Sequence, residues 1–167
     1  MSDREKYIEK LQKIADRHDP YVWSGQGQQL KKLKVLDLIE MESGNVDRLS
    51  RILKYIHKQE QAGVDMTQCR IFDCSGLVTY LLIKLGVLKS DMTAKGLYAE
   101  CVRRNGQKSM NDLQPGYLVF AGEDISSIGH VGTYIGNGKV IEAKGRDYGV
   151  CYSVFDTRLW DFCGDIF

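Results

Sequence analysis

The chain has 167 residues, of which 43% are hydrophobic and 27% are charged, values typical of about one folded domain. A core of this size buries enough surface to fold without disulfide bonds. Lysine and arginine number 23 against 22 aspartates and glutamates, a formal net charge of +1, so the chain lacks the basic surface of a dedicated nucleic-acid-binding protein and we expect no such partner.

The amino terminus, MSDREK, alternates in charge and leads into no apolar run. We therefore expect neither a secretory signal nor stable membrane insertion, and we expect the protein to be cytoplasmic when synthesised. The five cysteines contain no C-x-x-C pair, which argues against a disulfide framework and a zinc site, so we expect no metal and no cofactor. These cysteines are Cys69, Cys74, Cys101, Cys151 and Cys163.

Apolar residues at helical spacing predict a first helix over residues 7–15 and a helical hairpin over residues 28–61, interrupted at Ser43-Gly44-Asn45. The many charges of this hairpin are typical of a solvated outer face. An apolar stripe from Leu77 to Leu85 predicts a largely buried helix that begins near Cys74. A further helical stretch follows at about 93–104.

From residue 117 onwards the pattern becomes that of strands, at 117–121, 130–135, 139–144 and 150–154. Helices that come first and strands that come last favour an α+β fold, in which helices pack on an antiparallel sheet.

Cys74 is the candidate nucleophile. A lone cysteine on an apolar helix is more often an inert buried residue, but a thiol in the first turn faces unpaired backbone N–H groups and the positive end of the helix dipole, which favour the reactive thiolate. Asp73 is suited to cap this helix, and the same N–H groups could stabilise an oxyanion.

A nucleophilic cysteine needs a histidine base and a group that orients the base. His18 and His57 lie on charged helices and are typical of surface residues, whereas His130 begins a strand. A two-residue loop in the following hairpin would place Glu142 on the face away from His130. A three-residue loop, 136–138, places Glu142 on the same face and also collects the apolar residues on the other, so we favour this register.

Cys74, His130 and Glu142 are therefore a candidate nucleophile, base and orienting group. The alternative for Glu142 is a surface glutamate paired with Lys144 or another lysine.

Four segments in this order resemble the NlpC-type cell-wall peptidases, a family of papain-like cysteine peptidases. They are YVWSG at 21–25, FDCSGLV at 72–78, DLQPG at 112–116 and GHVGTYIGNG at 129–138. The resemblance implies a papain-like fold in which Cys74 is the nucleophile, His130 the base and residue 142 the third polar member. It also implies that Tyr21 contacts the substrate or oxyanion, and that Asp73 and Ser75 line the substrate groove.

The sequence departs from the family pattern at three places. Glu142 stands where histidine is most common, although a carboxylate can also orient an imidazole. Tyr117 stands where an acidic residue is common. Tyr21 and Cys74 are 53 residues apart, more than usual, so residues 28–61 are expected to be an insertion in a single catalytic domain (1–167) and a candidate wall or lid of the groove.

Relatives typically hydrolyse amide bonds of peptidoglycan stem peptides, often next to γ-linked D-glutamate, through an acyl-enzyme. We expect a monomeric cysteine peptidase of this kind, as a phage or prophage lysin or as a wall-recycling enzyme. The alternatives are an amidase or acyltransferase that uses the same triad on a non-wall substrate, and an inactive wall-binding module.

Overall fold

The computed structural model describes residues 1–167 and contains five α-helices and seven strands. The helices are α1 (Asp3–Asp16), α2 (Val35–Met41), α3 (Val46–Gln61), α4 (Cys74–Lys84) and α5 (Ala94–Asn105). The strands are β1 (Gln26–Gln29), β2 (Arg70–Phe72), β3 (Leu118–Ala121), β4 (His130–Gly136), β5 (Lys139–Gly145), β6 (Gly149–Val154) and β7 (Phe162–Gly164).

Five strands form the central antiparallel sheet in the order β6-β5-β4-β3-β7, and β1 and β2 form a separate pair. Helices α1 and α4 pack on this sheet, where Leu77 and Leu81 of α4 are buried in one core with Val131 and Ile141 of the sheet. The predicted α+β fold is confirmed. No helix has the length and apolar character that a membrane span requires.

The hairpin between β4 and β5 has the shorter of the two loops considered in the sequence analysis, but the strand register expected for the longer one. Its turn has two residues, Asn137 and Gly138, both at positive φ, so the predicted three-residue loop is wrong. An irregularity in β4 just before the turn shifts the pairing by one residue, and Thr133 then pairs with Ile141. The predicted register beyond the turn is therefore confirmed.

The segment before α2 differs from the prediction. Residues Gln26–Gln29 form β1, which pairs with β2, and a single 3-10 turn precedes α2, so the first helix of the hairpin begins at Val35 rather than near residue 28. Leu30 and Leu33 still pack against a small cluster centred on Leu38 and Ile52. Apolar residues three apart also suit a 3-10 turn, which explains the overextended prediction.

The start of α4 is held against the segment that follows α1. The backbone N–H of Asp73 donates to the carbonyl oxygen of Gly25 at 2.9 Å. A Cβ atom on Gly76 would lie only 2.0 Å from that same oxygen. Glycine at 76 is therefore what allows the two backbones to approach.

We predict that Gly76→Ala lowers the free energy of unfolding by about 2–3 kcal/mol, because the methyl group meets backbone that cannot move aside. Gly96→Ala is the matched control, since both glycines are the third residue of a helix and donate to the N-cap side chain. A Cβ atom at 96 makes only ordinary contacts, so the helix propensity of alanine should leave stability unchanged or raise it by up to about 1 kcal/mol. Urea unfolding measures both, and equal stability of the two variants would contradict the prediction.

Candidate active site

Cys74 is the first residue of α4, directly after the N-cap Asp73. The Asp73 carboxylate accepts the backbone N–H of Gly76 at 2.7 Å, which fixes the first turn. The half-buried thiol points towards the start of β4, where its Sγ lies 3.9 Å from the carbonyl oxygen of Gly129. The helix thus presents the thiol to the strand that carries His130.

The other four cysteines are outside the groove that Cys74 lines. Burial raises the pKa of Cys69 and of Cys101 to about 12 and that of Cys163 to about 11. Burial also raises the pKa of Cys151. Their thiols are therefore protonated and unreactive near neutral pH.

His130 is paired with Glu142 and faces the groove that Cys74 lines. The Nε2 atom of His130 lies 2.6 Å from Oε2 of Glu142, and the imidazole shares the groove with the Cys74 thiol, whose Sγ lies 3.9 Å from the carbonyl oxygen of the preceding residue, Gly129. Since Nε2 is taken by the carboxylate, Nδ1 is the ring nitrogen left for the thiol. Glu142 is buried on β5, so the alternative of a surface glutamate paired with a lysine is wrong.

This contact fixes the charges of the pair. Burial alone lowers the pKa of His130, but hydrogen bonds with Cys74 and Glu142 outweigh it and raise the pKa to about 9. Burial works against ionisation of Glu142, yet the hydrogen bond with His130 and the charge of Lys144 keep the pKa of Glu142 below its usual value. Glu142 is accordingly a carboxylate that stabilises an imidazolium.

Trp160, a residue that the sequence analysis missed, covers the imidazole. Its buried ring lies nearly parallel to that of His130, with centroids 5.4 Å apart and planes 21° apart. The tryptophan follows the last long strand in an irregular segment, so no periodic pattern marks it. It shields the histidine from water on that side.

The thiol and imidazole open into a groove of about 520 Å³. Tyr21, Asp73 and Ser75 line it with them, while Glu142, which is paired with His130, does not. Burial, with the negative charges of Cys74 and Asp73, raises the pKa of Tyr21 to about 12, so its hydroxyl keeps its proton.

Burial raises the pKa of Asp73, and the nearby charge of Asp91 raises it further. Asp91 also lines the groove. No group of three His, Cys, Asp or Glu side chains is placed to hold a metal ion.

A second charged pair, which the sequence analysis also missed, lies beside the groove, and its arginine lines it. Arg146, in the turn between β5 and β6, lies 2.6 Å from Glu42 at the end of α2. Glu42 is fully buried, so the solvated charged face expected of the helical hairpin does not include it. The two residues are 104 positions apart, and no local signal links them.

A model of the NlpC/P60 family matches residues 18–162. The probable endopeptidase p60 of Listeria seeligeri is 40% identical over 89 residues, which cover 53% of this chain and 16% of that protein. The chain therefore matches less than a fifth of the length of this curated relative.

Two solved structures of Mycobacterium tuberculosis proteins are similar in fold. The peptidoglycan hydrolase RipB has a TM-score of 0.59 and 22% identity, with coverage of 98% of this chain and 66% of that one. RipD, described as a non-catalytic domain adapted to peptidoglycan binding, has a TM-score of 0.61 and 17% identity, with coverage of 100% and 99%. The family match spans both sides of the groove and includes Cys74, His130 and Glu142; this chain belongs to the NlpC/P60 family.

Proposed function

We propose that the chain is a cysteine peptidase that hydrolyses amide bonds in peptidoglycan stem peptides through an acyl-enzyme. The observation that supports this most strongly is that the Cys74 thiol shares one groove with His130, which is paired with the buried Glu142. A groove open to solvent at the thiol gives a peptide access to it. The substrate class follows from the relatives, which include probable endopeptidases and a peptidoglycan hydrolase.

In this mechanism, His130 accepts the proton of the Cys74 thiol and the sulfur attacks the carbonyl carbon of the scissile amide. The C–N bond breaks as the imidazolium returns a proton to the leaving amine, and a thioester remains. His130 then takes a proton from water, whose oxygen attacks the thioester and releases a carboxylic acid and the thiol. Glu142 holds the ring with Nδ1 towards sulfur and stabilises its charged form.

The first turn of α4 supplies the oxyanion site. A helix N-terminus leaves backbone N–H groups unpaired, and Asp73 takes only the one on Gly76. The remaining N–H groups next to Cys74 can donate to the oxygen that becomes negative when sulfur attacks. Tyr21, whose protonated hydroxyl belongs to the same groove, is proposed as a further donor, with Asp73 and Ser75 as substrate contacts.

A peptidoglycan-binding module without activity is the rival proposal, because RipD has the same fold and is non-catalytic. The pairing of His130 with Glu142, in the groove that also holds the Cys74 thiol, favours the enzyme. Action on a non-wall amide or ester would use the same three residues and is distinguished by its products. Four expectations from the sequence remain predictions: the lysin or recycling role, the cytoplasmic synthesis, the monomeric state and the insertion at 28–61.

We predict that Cys74→Ala abolishes the release of fragments from purified peptidoglycan, with a loss of about 10³-fold or more, because no other group can form the acyl-enzyme. Mass spectrometry of the released fragments measures the loss and identifies the bond cut. Cys101→Ala, which removes a buried thiol outside the groove, is the matched control and should keep activity.

Iodoacetamide near neutral pH should alkylate Cys74 alone and inactivate the enzyme in proportion. Fragment release by the folded Cys74→Ala protein would overturn the mechanism. A wild-type protein that binds muropeptides without cleaving them would instead identify a binding module.

We predict that Glu142→Gln moves the titration of His130 from about 9 back towards its usual 6.5, because the neutral amide no longer stabilises the imidazolium. NMR titration of the imidazole measures this directly. Since the pKa of His130 is raised in the folded protein, the stability that this proton contributes is complete below about pH 6.5 and is lost as the pH rises through about 9.

The Glu142→Gln protein should therefore lose less stability than the wild type between pH 6.5 and 9 in urea unfolding. The exposed His57 provides a reference signal in the same spectra. An unchanged titration of His130 in the variant would show that Glu142 does not set the charge of the ring.

A further inference from the structure

One wall of the groove presents the guanidinium of Arg146, which is held by the buried carboxylate of Glu42. Arg146 directs Nε and Nη2 to a single oxygen of Glu42, at 3.0 and 2.6 Å. The Arg146 side chain is 13% exposed and that of Glu42 is 0% exposed. The carboxylate therefore holds the arginine but is closed to anything in the groove.

Glu42 is itself fixed in place. Its other oxygen accepts the backbone N–H of Trp23 at 2.9 Å, so both oxygens of the buried carboxylate are used. The Glu42–Arg146 pair, called the clamp below, and its contact with Trp23 join three parts of the chain: the end of α2, the segment before β1 and the turn between β5 and β6. An arginine held in this way loses little further side-chain freedom when it binds a ligand.

The remaining donors of Arg146 are available to the groove. Its Nη1 atom makes no hydrogen bond within the protein, and the guanidinium carbon lies 5.4 Å from the ring centre of Tyr21, which also lines the groove with Cys74. Guanidinium N–H groups in a fixed plane match the two oxygens of a carboxylate. The free side of Arg146 therefore suits an anionic group of a bound peptide.

The neighbouring charges direct an anion to this arginine in particular. Apart from His130, which is paired with Glu142, two other basic side chains line the groove, but Arg51 is paired with Asp147 at 2.6 Å and the Lys144 ammonium lies 5.0 Å from the ring centre of Tyr148. The acidic residues that line the groove, Asp73 and Asp91, come from the start of α4 and the segment before α5. Opposite charges thus belong to different structural elements of one groove, which gives a charged peptide a preferred orientation.

We propose that Arg146 binds a free carboxylate of the substrate close to the scissile amide, and that Glu42 is the positioning residue that holds Arg146 for this contact. This proposal rests on the proposed peptidase function of the groove. The γ-linked D-glutamate that the family resemblance leads us to expect has such a group, since linkage through its side-chain carboxyl leaves the α-carboxylate free beside the bond. Conversion of this carboxylate to an amide removes the charge and weakens binding.

The test measures binding apart from catalysis. Titration calorimetry with the Cys74→Ala protein compares two synthetic stem peptides that differ only in the α-carboxylate of their γ-linked D-glutamate, which is free in one and amidated in the other. We expect the free acid to bind at least about tenfold more tightly. In the Cys74→Ala/Arg146→Gln protein the two peptides should bind equally, at the affinity of the amidated one.

Glu42→Gln, on the same Cys74→Ala background, should reduce the preference because the clamp is weakened. When Glu42→Gln is added to the Cys74→Ala/Arg146→Gln protein, the affinities for the two peptides should not change further, because Glu42 acts through Arg146. Removal of one partner of a buried pair can unfold a protein, whereas removal of both charges is better tolerated, so the Glu42→Gln/Arg146→Gln protein tests the role of Arg146 if a single variant fails to fold. Arg103→Ala, at an exposed arginine of α5 paired with Glu100, is the control and should keep the full preference.

A tenfold preference that survives Arg146→Gln in folded protein would overturn the proposal, as would equal binding of the two peptides by the Cys74→Ala protein alone. The proposed function can fail independently of the proposed role of Arg146. If the wild-type protein cuts neither peptide while its Cys74→Ala form binds the free acid through Arg146, the chain is a binding module with this specificity. A wild-type enzyme that cuts both peptides at the same kcat/KM has the peptidase function without the proposed specificity.

Discussion

The geometry of the groove depends on one close approach between two backbone segments, at Gly25 and Gly76. The Gly25 carbonyl accepts the N–H of Asp73 and leaves no space for a side chain on Gly76. This contact sets the first turn of α4 beside the segment that carries Tyr21, so the thiol, the helix N–H groups and the tyrosine share one groove. The N-terminus of α4 supplies a partial positive charge, and the close packing of Gly25 and Gly76 makes this end of the helix face the groove.

Much of the central sheet and of the Cys74, His130 and Glu142 arrangement could be predicted because the signals are local. Alternation of apolar and polar residues over two adjoining strands specifies the register, since a slip of one residue would expose the apolar set. The turn could not be predicted in the same way, because an irregularity in β4 compensates for the shorter loop. Side-chain burial therefore determined the pairing, and the turn adapted to it.

The rest of the site depends on contacts between distant parts of the chain. Glu42 looks like one of many surface charges on an amphipathic hairpin, and only its partner at position 146 explains its burial. Trp160 contacts His130 from a segment without regular structure, so it gives no periodic signal. Sequence patterns report which face of an element is buried, but not which distant element will cover it.

The pairing of Glu42 with Arg146 also differs from the rest of the site in what it requires of the folding chain. The thiol and its N-terminal helix turn are assembled from a short stretch of chain, and the β-hairpin brings His130 to Glu142 with a separation of only 12 residues. The clamp must instead close a loop of 104 residues, which has a larger entropic cost and is a slower event. The helix turn at Cys74 and the hairpin of His130 and Glu142 are thus local units, whereas the wall that holds Arg146 requires distant parts of the chain to meet.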